Sequence, residues 1–247
     1  MTTHSQSGPI VVLTGAGISA ESGLATFRGA GGLWEGHRFE DVATPQAFAR
    51  DPALVQRFYN LRRAQLREPG VQPNAAHLAL ARLERHWPGE VLVVTQNVDD
   101  LHERAGSRNL IHLHGELMRA LCLACRASSS WAEELGAGCV CPACGVAGWL
   151  RPDIVWFGEM PYRMDEVERA LARCALFVSI GTSGQVYPAA GFAAVVRAAG
   201  DARTIELNVE RSAVGAAFAE HFPGPAGETV PHLVEMLLAE PGRLDRR

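Results

Sequence analysis

No lysine occurs among the 247 residues: all 23 cationic side chains are arginine, a pattern that a GC-rich genome explains. A basic excess is also missing. The 27 acidic residues outnumber the cations and give a net charge of −4, which argues against a general nucleic-acid binder. No apolar run approaches the ~18 residues that a membrane span needs. The opening residues, MTTHSQSGPIVVL, lack the positive start and long apolar stretch of a secretory signal. The expectation is a cytoplasmic protein, acting as a monomer, whose six cysteines stay reduced. With 47% hydrophobic and 20% charged residues there is material for a core and no case for disorder.

Five short apolar runs read as buried strands: residues 10–13 (IVVL), 91–94 (VLVV), 110–113 (LIHL), 176–180 (LFVSI) and 204–207 (TIEL). Helical stretches lie between and after them at 52–66, 75–86, 165–173, 189–199 and 230–239. That alternation predicts an α/β fold built on a doubly wound parallel sheet. Two insertions, 29–88 and 116–152, interrupt it and are expected to form a second lobe.

Small and polar residues follow every predicted strand. They are Gly15, Ala16 and Gly17, then Gln96, Asn97, Val98 and Asp99, then His114 and Gly115. Gly181, Thr182 and Ser183 follow the fourth strand, and Asn208, Val209 and Glu210 the fifth. Ligands of open parallel sheets bind at those carboxyl ends, so five such turns predict one small-molecule site. The first turn reads G-x-G-x-x-A over residues 15–20, glycines that let backbone approach a pyrophosphate. A dehydrogenase would carry an acidic residue at the end of a second strand ~20 residues on. Here that region is RGAGGLW, residues 28–34, which disfavours hydride transfer and instead suggests, with Phe27, a cover over a bound nucleotide.

Five of the cysteines fall within residues 122–144. Cys122 and Cys125, then Cys141 and Cys144, form two C-x-x-C pairs 15 residues apart, the spacing of a closed four-thiolate zinc site. Cys139 is a spare that could replace Cys141, though the pair spacing favours Cys141. His112 and His114 share one face of a strand end. His114 lies nearer the crevice and is the better candidate base. Gln96, Asn97 and Asp99 suit ribose hydroxyls or a carboxamide, or else cap the helix that follows. Tyr59 and Arg62 are one helical turn apart, a phenol and a guanidinium suited to a carboxylate; spacing alone reads them as a half-buried Tyr and an exposed Arg.

Taken together the motifs resemble the sirtuins, NAD-dependent protein-lysine deacylases. GAGISAESGLATFRG (15–29), TQNVDDLHERAG (95–106), HLHGEL (112–117), the cysteine pairs, GTS (181–183) and ELN (206–208) match that family in order. FEDVATPQAF, the Y-x-x-R of residues 59–62, LRPDIVWFGEMP and GTSGQVYPAAGF resemble the bacterial branch grouped with desuccinylases and demalonylases. The resemblance implies a Rossmann-like NAD-binding domain (1–33, 89–115 and 154–247) and a smaller domain of helical module plus zinc ribbon (34–88 and 116–153). It implies NAD as a co-substrate and one structural zinc ion. It makes His114 the general base. NAD is assigned to Gly15, Ala16, Gly17, Ile18, Ala20, Glu21, Thr26, Phe27, Arg28 and Trp34, to Gln96, Asn97, Val98 and Asp99, and to Gly181, Thr182, Ser183, Asn208, Val209, Glu210 and Ala226. Ala43, Tyr59 and Arg62 are assigned to the acyl group. Val155, Phe157, Gly158 and Glu159 are assigned to the substrate backbone, paired as an added strand. The implied reaction moves acetyl, succinyl or malonyl groups from protein lysine to ADP-ribose and releases nicotinamide. The chain itself has no lysine to serve as such a substrate. Acyl-lysine proteins or peptides are the expected partners, with no nucleic acid and no membrane. A non-catalytic zinc-ribbon binding module is the competing class; the acidic balance and the filled strand-end turns count against it. ADP-ribosyl transfer to protein remains a possible side activity of the family.

Overall fold

Strands form where the apolar runs predict them. In the computed structural model, which describes residues 7–25, 33–34, 36–200 and 202–241, six parallel strands make the large sheet. Their order is Glu220–Pro223, Arg203–Asn208, Leu176–Ile180, Ile10–Thr14, Val91–Thr95, Leu110–His112. Every residue of Ile10–Thr14, Val91–Thr95 and Leu176–Ile180 is buried, because helices cover both faces of the sheet. Alternate side chains serve opposite cores. Ile10, Val12 and Val178 pack under helices Ala75–His86 and Ala226–Ala239. Val11, Leu13 and Phe177 pack under Met164–Arg173 and Phe192–Ala199.

Chain order steps outward from Ile10–Thr14 in one direction for the first three strands and in the other for the last three. The topological switch point therefore lies between Ile10–Thr14 and Leu176–Ile180, where α/β sheets bind ligands.

A second, antiparallel sheet has the order Ser128–Ser130, Gly115–Cys122, Leu150–Ile154. Helix Pro52–Leu66 packs on it, burying Val55, Phe58 and Tyr59 with Leu117, Ile154 and Trp156. That helix starts where local chemistry directs. The Asp51 carboxylate accepts the Leu54 N–H at 2.9 Å and Pro52 occupies the first turn. Helix Ala75–His86 differs from its sequence grouping with the small lobe. Its Ala76–Leu80–Leu83 stripe is buried in the core of the large sheet. The strand Glu220–Pro223 went unpredicted because EHFP is no apolar run and its residues are not fully buried. No described helix is long and apolar enough to cross a membrane.

Two buried histidines meet beneath the cleft end of the sheet. His77 and His102 have ring centroids 4.9 Å apart. The Thr14 hydroxyl donates to Thr95 Oγ1 at 2.9 Å, so His102 Nε2, 3.0 Å from Thr14 Oγ1, must donate to it. Burial pushes His77 down to about 4 and His102 down to about 3, whereas both titrate near ~6.5 when unfolded. The unfolded state then binds more protons below that value. Stability is full at neutral pH and falls as pH drops from about 6.5 toward 4, by up to about 1.4 kcal/mol per pH unit for each histidine. Urea unfolding at pH 7 and pH 5 checks this, with a smaller acid loss expected for His102→Gln than for the wild type.

Candidate active site

At the switch point two glycine turns touch through their backbones. Gly15 N–H donates to the Ile180 carbonyl at 3.0 Å and Gly17 N–H to the Gly181 carbonyl at 2.9 Å. A Cβ on Gly17 would lie 2.6 Å from Gly181 Cα, and Gly181 itself sits at φ +61°. Only glycine satisfies both demands. The close approach leaves an open backbone cradle beside the start of the 3-10 helix Ala16–Ser22.

Above this contact lies a cleft of about 490 Å³. All five predicted turns reach it: Gly15, Ala16 and Gly17; Gln96, Asn97, Val98 and Asp99; His114; Gly181, Thr182 and Ser183; and Asn208. The small lobe supplies Ala43, Tyr59 and Arg62, and the segment after Leu150–Ile154 supplies Val155, Phe157, Gly158 and Glu159. Residues 80 or more positions apart thus share one wall.

Other assigned residues stand elsewhere. Ile18 is fully buried in the core below. Ala20 and Glu21 are exposed on the 3-10 helix, and the Glu21 carboxylate accepts the Gly227 N–H at 2.6 Å, at the start of Ala226–Ala239. Ala226 is buried against the core there. Val209 and Glu210 are exposed and are not among the lining residues. Thr26, Phe27, Arg28 and the side chain of Trp34 lie outside the described residues. The lining also includes Ser19, Trp156 and Tyr187, which the sequence reading did not assign. All three fall inside quoted motifs, so their signal was present but carried no evident chemistry.

Buried polar groups brace the Gln96–Asp99 turn. Asn97 Nδ2 donates to the Gly15 carbonyl at 3.1 Å and to Ser19 Oγ at 3.0 Å. Ser19 donates in turn to Asp99 Oδ2 at 3.0 Å, and Asp99 Oδ1 accepts the Leu101 N–H at 3.2 Å. Burial pushes the Asp99 carboxyl up to about 6, against the hydrogen bonds that favour its charged form. His114 Nδ1 is 3.1 Å from the Gln96 carbonyl. In the neutral ring Nδ1 carries the proton there and Nε2 is left as the acceptor. Burial lowers the pKa of His114 and so favours that neutral form.

The acyl side is held differently. Tyr59 is fully buried, and its hydroxyl accepts the Trp156 indole N–H at 3.0 Å. The Arg62 guanidinium lies 4.5 Å from the Phe58 ring centroid, so it stacks on an aromatic face rather than extending freely, as spacing alone suggested. Glu159 does not face outward. Both its oxygens accept from Arg151 at 2.7 Å, and one accepts the Trp156 N–H at 2.9 Å. The segment expected to carry the added strand makes bonds of its own within the chain. Val155 N–H donates to the His114 carbonyl and Phe157 N–H to the Ala43 carbonyl, while Glu159 N–H donates to the Trp156 carbonyl. These N–H groups are committed within the chain.

In the ribbon the four predicted cysteines converge, with all Sγ atoms within 4.8 Å of one another. The Cys122–Cys144 and Cys125–Cys141 sulfur pairs are each 3.8 Å apart. A tetrahedron with Zn–S bonds of about 2.3 Å has S···S edges of about 3.8 Å, so the thiolates suit zinc. Cys139 instead approaches the Gly136 N–H at 3.3 Å and is not in that group.

These features define a doubly wound, Rossmann-like α/β protein carrying a cysteine-clustered lobe. The chain belongs to the Sir2 family, whose family model matches residues 15–188. A relative from Bdellovibrio bacteriovorus, named an NAD-dependent protein deacylase, is 59% identical over 229 residues, covering 93% of this chain and 96% of its own. A Sir2 homolog solved as an NAD complex is 41% identical with a TM-score of 0.84, covering 94% of this chain and 90% of its own. Sir2Af2 bound to a myristoylated histone peptide is 34% identical with a TM-score of 0.71, covering 96% of this chain and 92% of its own.

The cysteine geometry predicts one zinc per chain by elemental analysis of freshly purified protein. Cys125→Ser should lose that zinc and unfold the ribbon, because structural zinc contributes folding free energy directly. Protease nicking within residues 122–150 would report the unfolding.

Proposed function

We infer that the chain is an NAD-dependent protein-lysine deacylase, with His114 as general base and Cys122, Cys125, Cys141 and Cys144 as ligands of a structural zinc. The observation that carries the reading is a single cleft lined by the glycine cradle, by His114 and by Tyr59 and Arg62 of the small lobe. The fit to NAD rests on that cradle, where Gly15 and Gly17 approach Gly181 too closely for any Cβ, giving the backbone access that a pyrophosphate needs. NAD, when bound, supplies a ribose carbon with nicotinamide as its leaving group. The chain's own residues do the rest. Asn97, Ser19 and Asp99 hold the turn that lines the middle of the cleft. His114 accepts a proton at Nε2, and its Nδ1–H on the Gln96 carbonyl fixes the ring. The zinc has four thiolates and no open position, so it is assigned no step.

His114→Ala should leave the fold and NAD binding largely intact and cut turnover by at least ~10²-fold, the usual scale for loss of a general base. Mass spectrometry of acyl-lysine peptides incubated with and without NAD measures it. Turnover within a few-fold of wild type would remove His114 from the mechanism.

Acyl choice is read as extending to succinyl and malonyl groups. Ala43 leaves room beside Tyr59. Tyr59 and Arg62 line the same cleft, a phenol and a guanidinium fork of the kind that a distal carboxylate accepts from. A hydrogen bond to a charged group contributes about 1.5–3 kcal/mol, roughly tenfold to a hundredfold in kcat/KM. Arg62→Met should depress desuccinylation by that factor and change deacetylation far less. Tyr59→Phe should act in the same direction with a smaller effect. One peptide carrying acetyl, malonyl or succinyl groups makes the comparison; an equal loss of all three activities would assign Arg62 to the fold or the cofactor instead.

A further inference from the structure

His112 stands beside His114 yet lines no part of the cleft. Its two ring nitrogens face two acceptors. Nδ1 is 3.2 Å from the Asn97 carbonyl and Nε2 is 2.7 Å from Glu103 Oε1. A carbonyl and a carboxylate offer no proton, so both ring nitrogens must donate. A neutral imidazole has one N–H for these two acceptors, and its deprotonation breaks one contact whichever tautomer results.

The contacts matter because of what they hold. His114 and His112 bond the adjacent carbonyls of Gln96 and Asn97. The Asn97 side chain in turn ties the glycine cradle to Ser19. The far side of this braced turn is the cleft wall. We propose that His112, held doubly protonated between Glu103 and the Asn97 carbonyl, is a positioning residue that fixes the Gln96–Asp99 turn for NAD and sets the alkaline limit of NAD binding.

The surroundings support the charged form. Glu103 comes from helix Leu101–Ala105 and Glu116 from strand Gly115–Cys122, and ligand atoms of Glu103, His112 and Glu116 lie within 4.8 Å of one another. Asp99, on the turn itself, is coupled electrostatically to His112. Opposing them, His102 on the same short helix is a like-charge neighbour only at acid pH, and burial disfavours the charge. The balance raises the pKa of His112, with Glu103 the strongest raising partner. The sign follows: the brace is complete at low pH and is lost as pH rises through the elevated value. His114 runs the other way, since its pKa is lowered and its neutral form is the active one. Activity should therefore be bounded on the acid side by His114 and on the alkaline side by His112.

The inference rests on NAD being the ligand, so the test reads binding and protonation rather than turnover. Isotope-labelled histidines are followed by NMR from pH 5.5 to 9.5, ~1 unit below to ~3 units above an ordinary histidine, with and without NAD; the signal lost in His112→Gln assigns the residue. Calorimetry gives the NAD Kd across the same range. His112 should titrate above its ordinary value, and NAD should raise it further. By linkage, an NAD-induced rise of about one unit equals an affinity about tenfold weaker for the neutral form. Glu103→Gln should lower the His112 titration and move the alkaline loss of affinity down with it. Glu103 is an exposed side chain, so this variant keeps the test open even if His112→Gln folds poorly. An NAD affinity whose pH profile is the same in Glu103→Gln as in the wild type, or a His112 titration that NAD leaves unmoved, overturns the proposal alone. A wild-type protein that binds no NAD at any pH overturns the functional reading as well.

Discussion

The Gly17 N–H and the Gly181 carbonyl meet at 2.9 Å across the switch point, with a Gly17 Cβ excluded by a 2.6 Å approach to Gly181 Cα. This contact sets how closely the two halves of the sheet can bring their carboxyl ends together. The central strands Ile10–Thr14, Val91–Thr95 and Leu176–Ile180 are apolar and buried on both faces, and they have no reason of their own to present a cleft of a given width. The touching turns supply that width. The cradle, the Asn97 side chain that reaches the Gly15 carbonyl and the Asn208 amide that donates to the Thr182 carbonyl at 2.8 Å all take their positions from it.

Beneath the cleft the polar groups are buried, and burial is tolerable only if they are paired. His102, Thr14, Thr95 and Asn97 form one chain of hydrogen bonds from the core to the cleft wall. Ser19 joins Asn97 to Asp99 in another. A cross-braced polar floor of this kind resists rearrangement, because moving one member leaves its neighbour unsatisfied in a medium of low dielectric. That is a physical basis for a site pre-arranged before any ligand arrives.

The small lobe is joined to the cleft through a charged pair. Arg151, with a side chain only 5% exposed, bonds both oxygens of Glu159 at 2.7 Å and stacks 3.7 Å from the Trp156 ring centroid. Trp156 then fixes the Tyr59 hydroxyl. Buried pairs of this sort are weak evidence for net stability, but breaking one by removing a partner costs about 3–5 kcal/mol. Their effect here is directional: they hold Trp156, and through it the phenol, in one place.

Much of this was legible in the chain itself. Strand positions follow from apolar runs and the cysteine cluster from paired spacing, because each is a local pattern with a local cause. Turn composition likewise determined which residues would gather at the strand ends. The tertiary structure alone decided the rest. It turned Glu159 onto Arg151, laid Arg62 over Phe58 and set Glu21 at the start of helix Ala226–Ala239. It also placed Glu103 against His112, nine positions away. A side chain's partner depends on which distant element packs beside it, and neither spacing nor composition carries that packing.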